Sequence, residues 1–180
     1  MAQIIRNRAV IQDDWQLLEQ GSNGALPFSG DVIVPLELWT RERETLSFRL
    51  GRIGVWLETG ADPAAIAPDL GRLDVIAVRF ASFTDGRGYS IARLLRERHG
   101  YRGELRAIGD VQRDQLYFLS RCGFDAFALR ADQDPQRALS AFDDLSEAYQ
   151  ASVEQPQPLF RRRSGKRASA SPRGCRVVDQ

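Results

Sequence analysis

The chain has 180 residues, of which 43% are hydrophobic and 27% are charged. These values are typical of one globular domain, alone or with a tail, that buries a core of its own. No stretch approaches the ~18 apolar residues of a membrane-spanning helix, so we exclude a membrane protein. The two cysteines lie far apart and form no disulfide framework or zinc motif, and the first residues lack the apolar run of a secretory signal. We therefore expect a cytoplasmic protein.

The net charge of +1 conceals an acidic body and a basic tail. From Leu159 onward there are seven basic residues and one acidic residue, a net charge of +6, so residues 1–158 carry −5. The segment from Gln155 is rich in Pro, Arg, Ser and Gly, and it cannot bury enough surface to offset its ordering entropy. We expect a single α/β domain over residues 1–154 and a disordered basic tail over 155–180. The tail either contacts an acidic partner or has no specific role, and nucleic acid is not an expected partner.

Strand-like and helix-like segments alternate along the body. Strands are predicted over 14–18, 31–34, 53–57, 75–80, 105–108 and 126–129. Helices are predicted over 38–46, from Pro63, over 89–99, over 111–122, and from Pro135 to about Tyr149 with Leu145 facing inward. This alternation implies parallel pairing through right-handed crossovers. The predicted fold is α/β, with five to six mainly parallel strands alternating with helices, as either a half-barrel-like sheet or an open three-layer sheet.

The loop over 82–88 is the first candidate for ligand binding. It follows a predicted strand, and in parallel α/β folds ligands meet the carboxyl ends of the strands. Gly86 and Gly88 directly precede a helix, whose exposed backbone N–H groups attract an anion, and Arg87 adds a cation. The alternative is that Asp85 caps a turn and that the glycines adopt positive φ.

A second loop follows the next strand and leads through Asp110 into a helix that carries Arg113. Both loops would lie at the same edge of the sheet, so we predict an anion site that Arg113 and Arg106 help to form. Asp85 and Asp110 are the candidate catalytic residues for acid–base chemistry, with charge capping as the alternative. The sequence indicates no metal site.

Charged residues also interrupt the predicted strands, where two buried faces would favour apolar residues throughout. Arg79 and Arg106 are therefore expected in a polar cluster under the loops, with Glu104, Asp110 and Asp85 as counter-charges. A half-barrel tolerates such a cluster on its concave face. The alternative is a set of buried structural salt bridges, which would be costly.

Nine features of the sequence together point to one protein family. They are GVWL (54–57), FTDGRGYS (83–90), LLRER (94–98), GYRGELRA (100–107), GDV (109–111), DQL (114–116) and RCGFD (121–125), with Trp15 and IVPL (33–36). With these features the chain resembles a bacterial family of uncharacterised proteins, whose members are described as oxidoreductases involved in sulfite reduction, in association with sulfate assimilation genes.

The resemblance implies an oxidoreductase or an accessory protein of assimilatory sulfite reduction that binds a small oxyanion or a phosphorylated ligand. It identifies no cofactor. A sulfite reductase needs a siroheme and an iron–sulfur cluster, and this sequence offers no adequate ligand set for either. The expected partner is therefore sulfite reductase or its electron donor. The alternative function is a non-catalytic interaction module that docks on one of these two proteins. A half-barrel would need a second copy to cover its concave face, so a homo-oligomer is also left open.

Overall fold

Eight strands form a single sheet in the computed structural model, which describes residues 2–21, 27, 29–145 and 147–168. In chain order the strands are β1 (Gln3–Arg6), β2 (Ala9–Gln12), β3 (Gln16–Leu17), β4 (Val32–Pro35), β5 (Ile53–Glu58), β6 (Val75–Phe80), β7 (Glu104–Gly109) and β8 (Ala126–Phe127). Their order across the sheet is β2-β1-β8-β7-β6-β5-β4-β3. Strands β3 to β8 are parallel to one another, and β1 is antiparallel to β8 and β2.

The sheet curls into a half-barrel. Its edge strands β2 and β3 are joined by residues 13–15 alone. Eight flat strands spaced about 4.8 Å apart would separate the two edges by about 34 Å. The four peptide steps from Gln12 to Gln16 span at most about 14 Å, so the link requires a curled sheet. The predicted α/β fold with mainly parallel strands is confirmed, as the half-barrel rather than the open three-layer sheet.

Helical segments connect the parallel strands. Each crossover from β4 to β8 steps to the next strand in the same direction, and right-handed connections then place the helices on one face of the sheet. The α-helices are α1 (Leu36–Ser47), α2 (Arg87–Glu97), α3 (Leu116–Arg121), α4 (Pro135–Ala138) and α5 (Leu159–Ala168), and 3₁₀ helices cover Pro63–Arg72, Arg113–Gln115 and Leu139–Asp143.

Three of the predicted helices differ from the structure. The segment predicted as one helix over 111–122 is a 3₁₀ helix over Arg113–Gln115 and an α-helix over Leu116–Arg121 only. The segment that opens at Pro63 is a 3₁₀ helix, and Pro68 within it has no N–H with which to continue an α-helical ladder. The last predicted helix was expected to reach about Tyr149, but α4 and the 3₁₀ helix after it end at Asp143. Leu145, which was expected to face inward, is 51% exposed.

The main core lies between the convex face of the sheet and the helices. Alternate strand residues point into it, among them Leu57 of β5 and Val78 of β6. They pack with buried helix residues such as Trp39, Ile91 and Leu119. This core fixes the strands side by side, so the loops at their carboxyl ends have defined positions.

A second, smaller core lies on the concave face. It contains Trp56 of β5 and Ile108 of β7, together with Trp15 from the link between β2 and β3. The Trp56 Nε1–H donates to the Leu18 carbonyl oxygen at 2.8 Å. The chain's own N-terminal segment thus covers the concave face. A second copy is therefore not needed to cover this face, which was the reason for expecting a homo-oligomer. The oligomeric state stays a prediction.

The hairpin of β1 and β2 was not predicted from the sequence. Asn7 and Arg8 form its two-residue turn with φ of 50° and 62°. Positive φ at both central positions marks a type I′ turn, which suits the twist of a hairpin, and Asn tolerates it well. Arg8 is not a usual residue there, so the composition conceals the turn. The hairpin adds two antiparallel strands to the predicted parallel set.

The segment after the domain contains α5. The Arg162 guanidinium donates to the Glu147 carboxylate at 3.0 Å, and the ring centroids of Tyr149 and Phe160 are 6.4 Å apart. These contacts join α5 to the residues that precede it. The predicted disordered tail began at residue 155, and its part over 169–180 lies outside the described residues. The division of the chain into a domain over 1–154 and a tail stays a prediction.

Candidate functional site

The carboxyl ends of the parallel strands form one edge of the half-barrel, which we call the carboxyl edge. Strand register brings the neighbouring ends together, because Glu58 pairs with Arg79 and Phe80 pairs with Gly109. The carboxyl edge consists of Glu37 at the start of α1, residues 58–59 and 79–87, Asp110, residues 130–132, and Glu19, which contacts Arg79.

Arg87 is bound to Asp85 by two side-chain hydrogen bonds. Its Nε and Nη2 donate to the two carboxylate oxygens at 2.9 and 2.7 Å, and its backbone N–H donates to the same carboxylate at 3.2 Å. The buried Thr59 hydroxyl at the end of β5 donates to this carboxylate as well. The guanidinium and then the hydroxyl hold the pKa of Asp85 well below its usual range. Asp85 is therefore an ionised carboxylate at the start of α2, which is the capping role of the alternative prediction.

The two glycines of this loop differ in their surroundings. A Cβ at Gly88 would lie 2.6 Å from the Phe80 ring, so glycine lets α2 pack closely on β6. A Cβ at Gly86 would meet nothing within 4 Å, and its φ is −77°. Neither glycine has the positive φ that the alternative prediction required. An anion-binding role for this loop stays a prediction.

Asp110 joins three loops of the carboxyl edge. Its carboxylate accepts hydrogen bonds from the Phe83 backbone N–H at 2.9 Å, the Arg130 guanidinium at 3.0 Å and the Gln112 amide at 3.4 Å. The Phe83 N–H makes the largest contribution to lowering the pKa of Asp110. Arg130 also forms two bonds with Asp132, and its guanidinium lowers the pKa of Asp132 to about 2. The Asp110 carboxylate therefore holds these loops together through its hydrogen bonds.

Both predicted catalytic carboxylates are thus ionised and engaged. A general acid–base catalyst works best with a pKa near the operating pH, whereas the pKa values of Asp85 and Asp110 are both lowered. The geometry gives them the role of holding loops together. Their catalytic role stays a prediction.

Arg113 is directed away from the other predicted anion-binding residues. Its Nη2 donates to the Asp144 carboxylate at 2.8 Å and to the Ser140 hydroxyl at 3.2 Å. Its nearest acidic partner therefore belongs to the segment after α4, whereas Arg87 is held by Asp85. The structure does not bring Arg113 and Arg87 to one anion.

Arg79 lies on the concave face at the carboxyl edge. Its guanidinium stands 4.9 Å from the centroid of the Trp56 ring and pairs with the Glu19 carboxylate at 2.7 Å. Cation–π stacking and the ion pair together hold this charge in place. Arg79 is therefore a neutralised cation beside the N-terminal segment.

Arg106 and Glu104 lie towards the amino end of the sheet. Arg106 is 2% exposed, and it donates to the carboxylates of Glu104 at 2.7 Å and Asp13 at 2.9 Å. Arg6 approaches the same Glu104 to 3.5 Å. These residues form a buried ion-pair set, as the structural alternative proposed.

The residues expected to form one polar cluster are therefore separated. Arg79 pairs in register with Ile108, and Glu104 lies four residues before Ile108 on β7, which is about 13 Å along the strand. Glu104 begins β7, so its charge lies near the amino ends and far from the loops of Asp85 and Asp110. The prediction that Arg106 and Glu104 belong to a polar cluster under the loops is therefore wrong, because both lie nearer the amino ends of the strands.

Two carboxylates of the carboxyl edge have no charged partner. Glu37 and Glu58 are exposed, and among the described residues neither side chain forms a hydrogen bond or an ion pair. The guanidiniums of the edge, by contrast, are each bound to at least one carboxylate: Arg79, Arg87 and Arg130. The edge therefore presents a surplus of negative charge.

In the described ranges of the chain, no three His, Cys, Asp or Glu side chains are grouped as a metal site would require. None of the helices in that part of the chain has the length and apolar composition of a membrane crossing.

Sequence reasoning missed several residues of these clusters. Thr59 directly follows β5, and Arg130 directly follows the apolar run over 126–129 that contains β8. A polar residue just after the apolar run of a parallel strand is the signal that could have identified them. Glu19 and Asp13 carry no such local signal. They reach the concave face only because residues 13–15 cross between the two edges of the curled sheet.

Residues 54–160 match the model of a family described as a bacterial protein of unknown function, DUF934. The match spans more than half of the chain and includes the loops that carry Asp85 and Asp110. No curated protein matches the chain.

Proposed function

The chain belongs to DUF934, a bacterial family of unknown function, and we propose that it is a non-catalytic interaction module of assimilatory sulfite reduction. In this proposal the carboxyl edge docks on sulfite reductase or on its electron donor. The connection to sulfite reduction comes from the sequence resemblance. The docking role is supported by the charges of the carboxyl edge.

The observation that carries the proposal is the pairing of these charges. Arg79, Arg87 and Arg130 are neutralised by carboxylates of the same chain, whereas Glu37 and Glu58 have no partner among the described residues. An incoming anion would have to displace a carboxylate that is already bound. A basic protein surface would instead find free carboxylates, and complementary charge favours encounter and orientation.

The lowered pKa values of Asp85 and Asp110 support a non-catalytic role. Each carboxylate is ionised near neutral pH and holds two or more loop groups. Neither has a proton to donate, and each would give up its hydrogen bonds on accepting one. These hydrogen bonds join the loops before docking, and a preformed surface lowers the entropic cost of docking.

Co-expression with sulfite reductase tests this proposal. The full-length chain should co-purify with the enzyme at low salt and dissociate as the ionic strength rises, because exposed charges are screened. The double variant Glu37→Gln/Glu58→Gln should co-purify poorly. The matched control is Glu44→Gln/Glu154→Gln, which removes the same charge from exposed residues that have no partner in the described chain.

Loss of co-purification in both double variants would mean that overall charge matters and that the carboxyl edge does not. A chain that ends at Glu154 removes the basic tail over 155–180 and tests it separately. If that chain loses the partner while Glu37→Gln/Glu58→Gln retains it, the tail is the docking element and the edge is not. Absence of any complex with the enzyme and with its electron donor contradicts the proposal as a whole.

A second candidate function is the binding of a small oxyanion or a phosphorylated ligand at the start of α2. It is favoured by the Arg87 side chain, which is 69% exposed at the first residue of α2. Thermal-shift titration with sulfite, sulfate and phosphate tests it. Stabilisation that disappears in Arg87→Ala supports this function, and an unchanged shift in that variant contradicts it.

A further inference from the structure

A cleft of about 150 Å³ opens between the carboxyl ends of β4 and β5. It is lined by Pro35 and Trp56, which are register partners on the two strands. Pockets that hold cofactors or drug-sized ligands have volumes of roughly 300–1,000 Å³. This cleft holds the equivalent of about five water molecules, which is the scale of a single side chain.

The walls of the cleft are apolar and preformed. Pro35 and Trp56 are buried, and Leu36 and Ala61 are half-buried beside them. The Trp56 ring is held by its hydrogen bond to the Leu18 carbonyl oxygen. Lys and Arg side chains commonly pack their methylene stems on such surfaces and keep the charged group at the rim.

Glu37 and Glu58 also line the cleft. Glu37 follows Pro35 by two residues and Glu58 follows Trp56 by two residues, so the two carboxylates stand beyond paired positions of adjacent strands. Glu37 lies in the first turn of α1, close to the helix N-terminus. Both carboxylates lack a partner among the described residues, and the cleft between them is apolar.

We propose that this cleft binds one lysine or arginine side chain from the basic surface of a partner protein. The methylene stem lies against Leu36 and Ala61, and the cationic group pairs with Glu37 and Glu58. The inference rests on the proposed function and names the contact through which docking occurs. Arg79 shows the same recognition inside the chain, because its guanidinium is held by the Trp56 ring and the Glu19 carboxylate.

NMR titration of the ¹⁵N-labelled full-length chain tests the cleft directly. The chain has three tryptophans, and Trp56→Phe assigns the indole N–H resonance of Trp56. The probe is the peptide acetyl-Gly-Arg-Gly-amide, with the lysine peptide as its counterpart. Both should shift the Trp56 resonance saturably, whereas the resonances of Trp15 and Trp39, which do not line the cleft, should stay in place.

The variants Glu37→Gln and Glu58→Gln should each weaken peptide binding about two- to fivefold, as expected for exposed ion pairs. Glu44→Gln, which makes the same charge change further along α1, should leave the affinity unchanged. All three residues are exposed, and an unchanged thermal midpoint verifies that each variant is folded.

Three results would overturn the inference: no Trp56 shift with either peptide, an equal shift with acetyl-Gly-Gln-Gly-amide, or an equal shift with guanidinium chloride. The last would indicate a site for a free cation without recognition of a side chain. If neither peptide binds while sulfite reductase still co-purifies with the chain, the role of the cleft is contradicted and the proposed function is not. Peptide binding without co-purification supports the cleft and contradicts the choice of sulfite reductase as partner.

Discussion

The Arg106 guanidinium lies 2.9 Å from the Asp13 carboxylate, although the two residues are 93 positions apart in the sequence. Arg106 belongs to the central strand β7, and Asp13 belongs to the link between the two edges of the sheet. Their ion pair therefore ties the middle of the concave face to the segment that covers it. Glu104 supplies the second counter-charge.

Replacing Arg106 with methionine should strongly destabilise the fold. The carboxylates of Asp13 and Glu104, only 14% and 12% exposed, would lose their shared buried cation, and only the exposed Arg6, 3.5 Å from Glu104, would remain. Breaking a buried pair in this way costs about 3–5 kcal/mol of unfolding free energy, which urea denaturation measures. Arg6→Met removes the exposed partner of the same Glu104 and should cost less than about 1 kcal/mol. Equal losses in the two variants would contradict this assignment.

Arg96 should be equally important at the amino end of the sheet. Its side chain, 9% exposed, donates to the carbonyl oxygens of Gly123, Tyr101 and Gly103 and to the Asp125 carboxylate. Arg96→Met leaves these acceptors unpaired, and we expect a loss of about 3–5 kcal/mol in unfolding free energy.

Arg96→Lys should recover little of this stability, because an ammonium group cannot reach acceptors arranged for the guanidinium fork. The control is Arg93→Met on the same helix, which removes one exposed i,i+4 pair with Glu97 and should cost about 0.5 kcal/mol or less. A mild effect of Arg96→Met would show that water replaces the guanidinium.

The glycines of the loop before α2 offer a matched pair of substitutions. Gly88→Ala places a Cβ against the Phe80 ring in the core and should cost about 1–3 kcal/mol by overpacking. Gly86→Ala meets open space at an ordinary φ, so it should cost less than about 1 kcal/mol. Thermal unfolding of both variants checks the order. A reversed order would mean that Gly86 has a backbone requirement that its φ does not reveal.

The strands and the half-barrel illustrate what the sequence predicts well. The apolar runs of β5 and β6 are bounded by turn residues, so local pattern alone marks them as strands, and their alternation with helices gives the parallel order. The curling of the sheet can also be inferred from the short link over residues 13–15, because this link joins the two edges of the sheet. That inference requires the order of the strands, which the sequence pattern does not give.

The site was harder to predict because charge type does not reveal pairing. The sequence offers Arg87 as an anion ligand, but Asp85, two residues away, binds it through both carboxylate oxygens. Arg106 looks equally available, and its partner Asp13 comes from a distant segment. In the same way Glu37 and Glu58 gave no signal, because a free carboxylate is recognised only when every nearby cation is already paired.

Acid should weaken the loop that Asp85 holds. Its lowered pKa means that the folded protein binds this proton more weakly than the unfolded chain does. The ionised group therefore stabilises the fold above its unfolded pKa of about 3.9, and this contribution is lost as pH falls through that value towards the folded pKa. Asp85→Asn should lower the urea midpoint near neutral pH, and the difference from the unmodified chain should shrink below about pH 4.

Asp14→Asn is the control for this titration. Asp14 is exposed and has no partner among the described residues, so its urea midpoint should follow that of the unmodified chain at each pH. A constant difference between Asp85→Asn and the unmodified chain down to acid pH would contradict the role given to the ionised carboxylate.

The most direct test of the docking role is the dissociation constant of the full-length chain for purified sulfite reductase, measured at about 0.02 M and about 0.3 M salt. The account predicts binding that weakens at least about tenfold between these conditions, and a smaller salt effect in Glu37→Gln/Glu58→Gln than in Glu44→Gln/Glu154→Gln. A dissociation constant that does not change with salt concentration, or the same salt effect in both double variants, would contradict docking through the carboxyl edge.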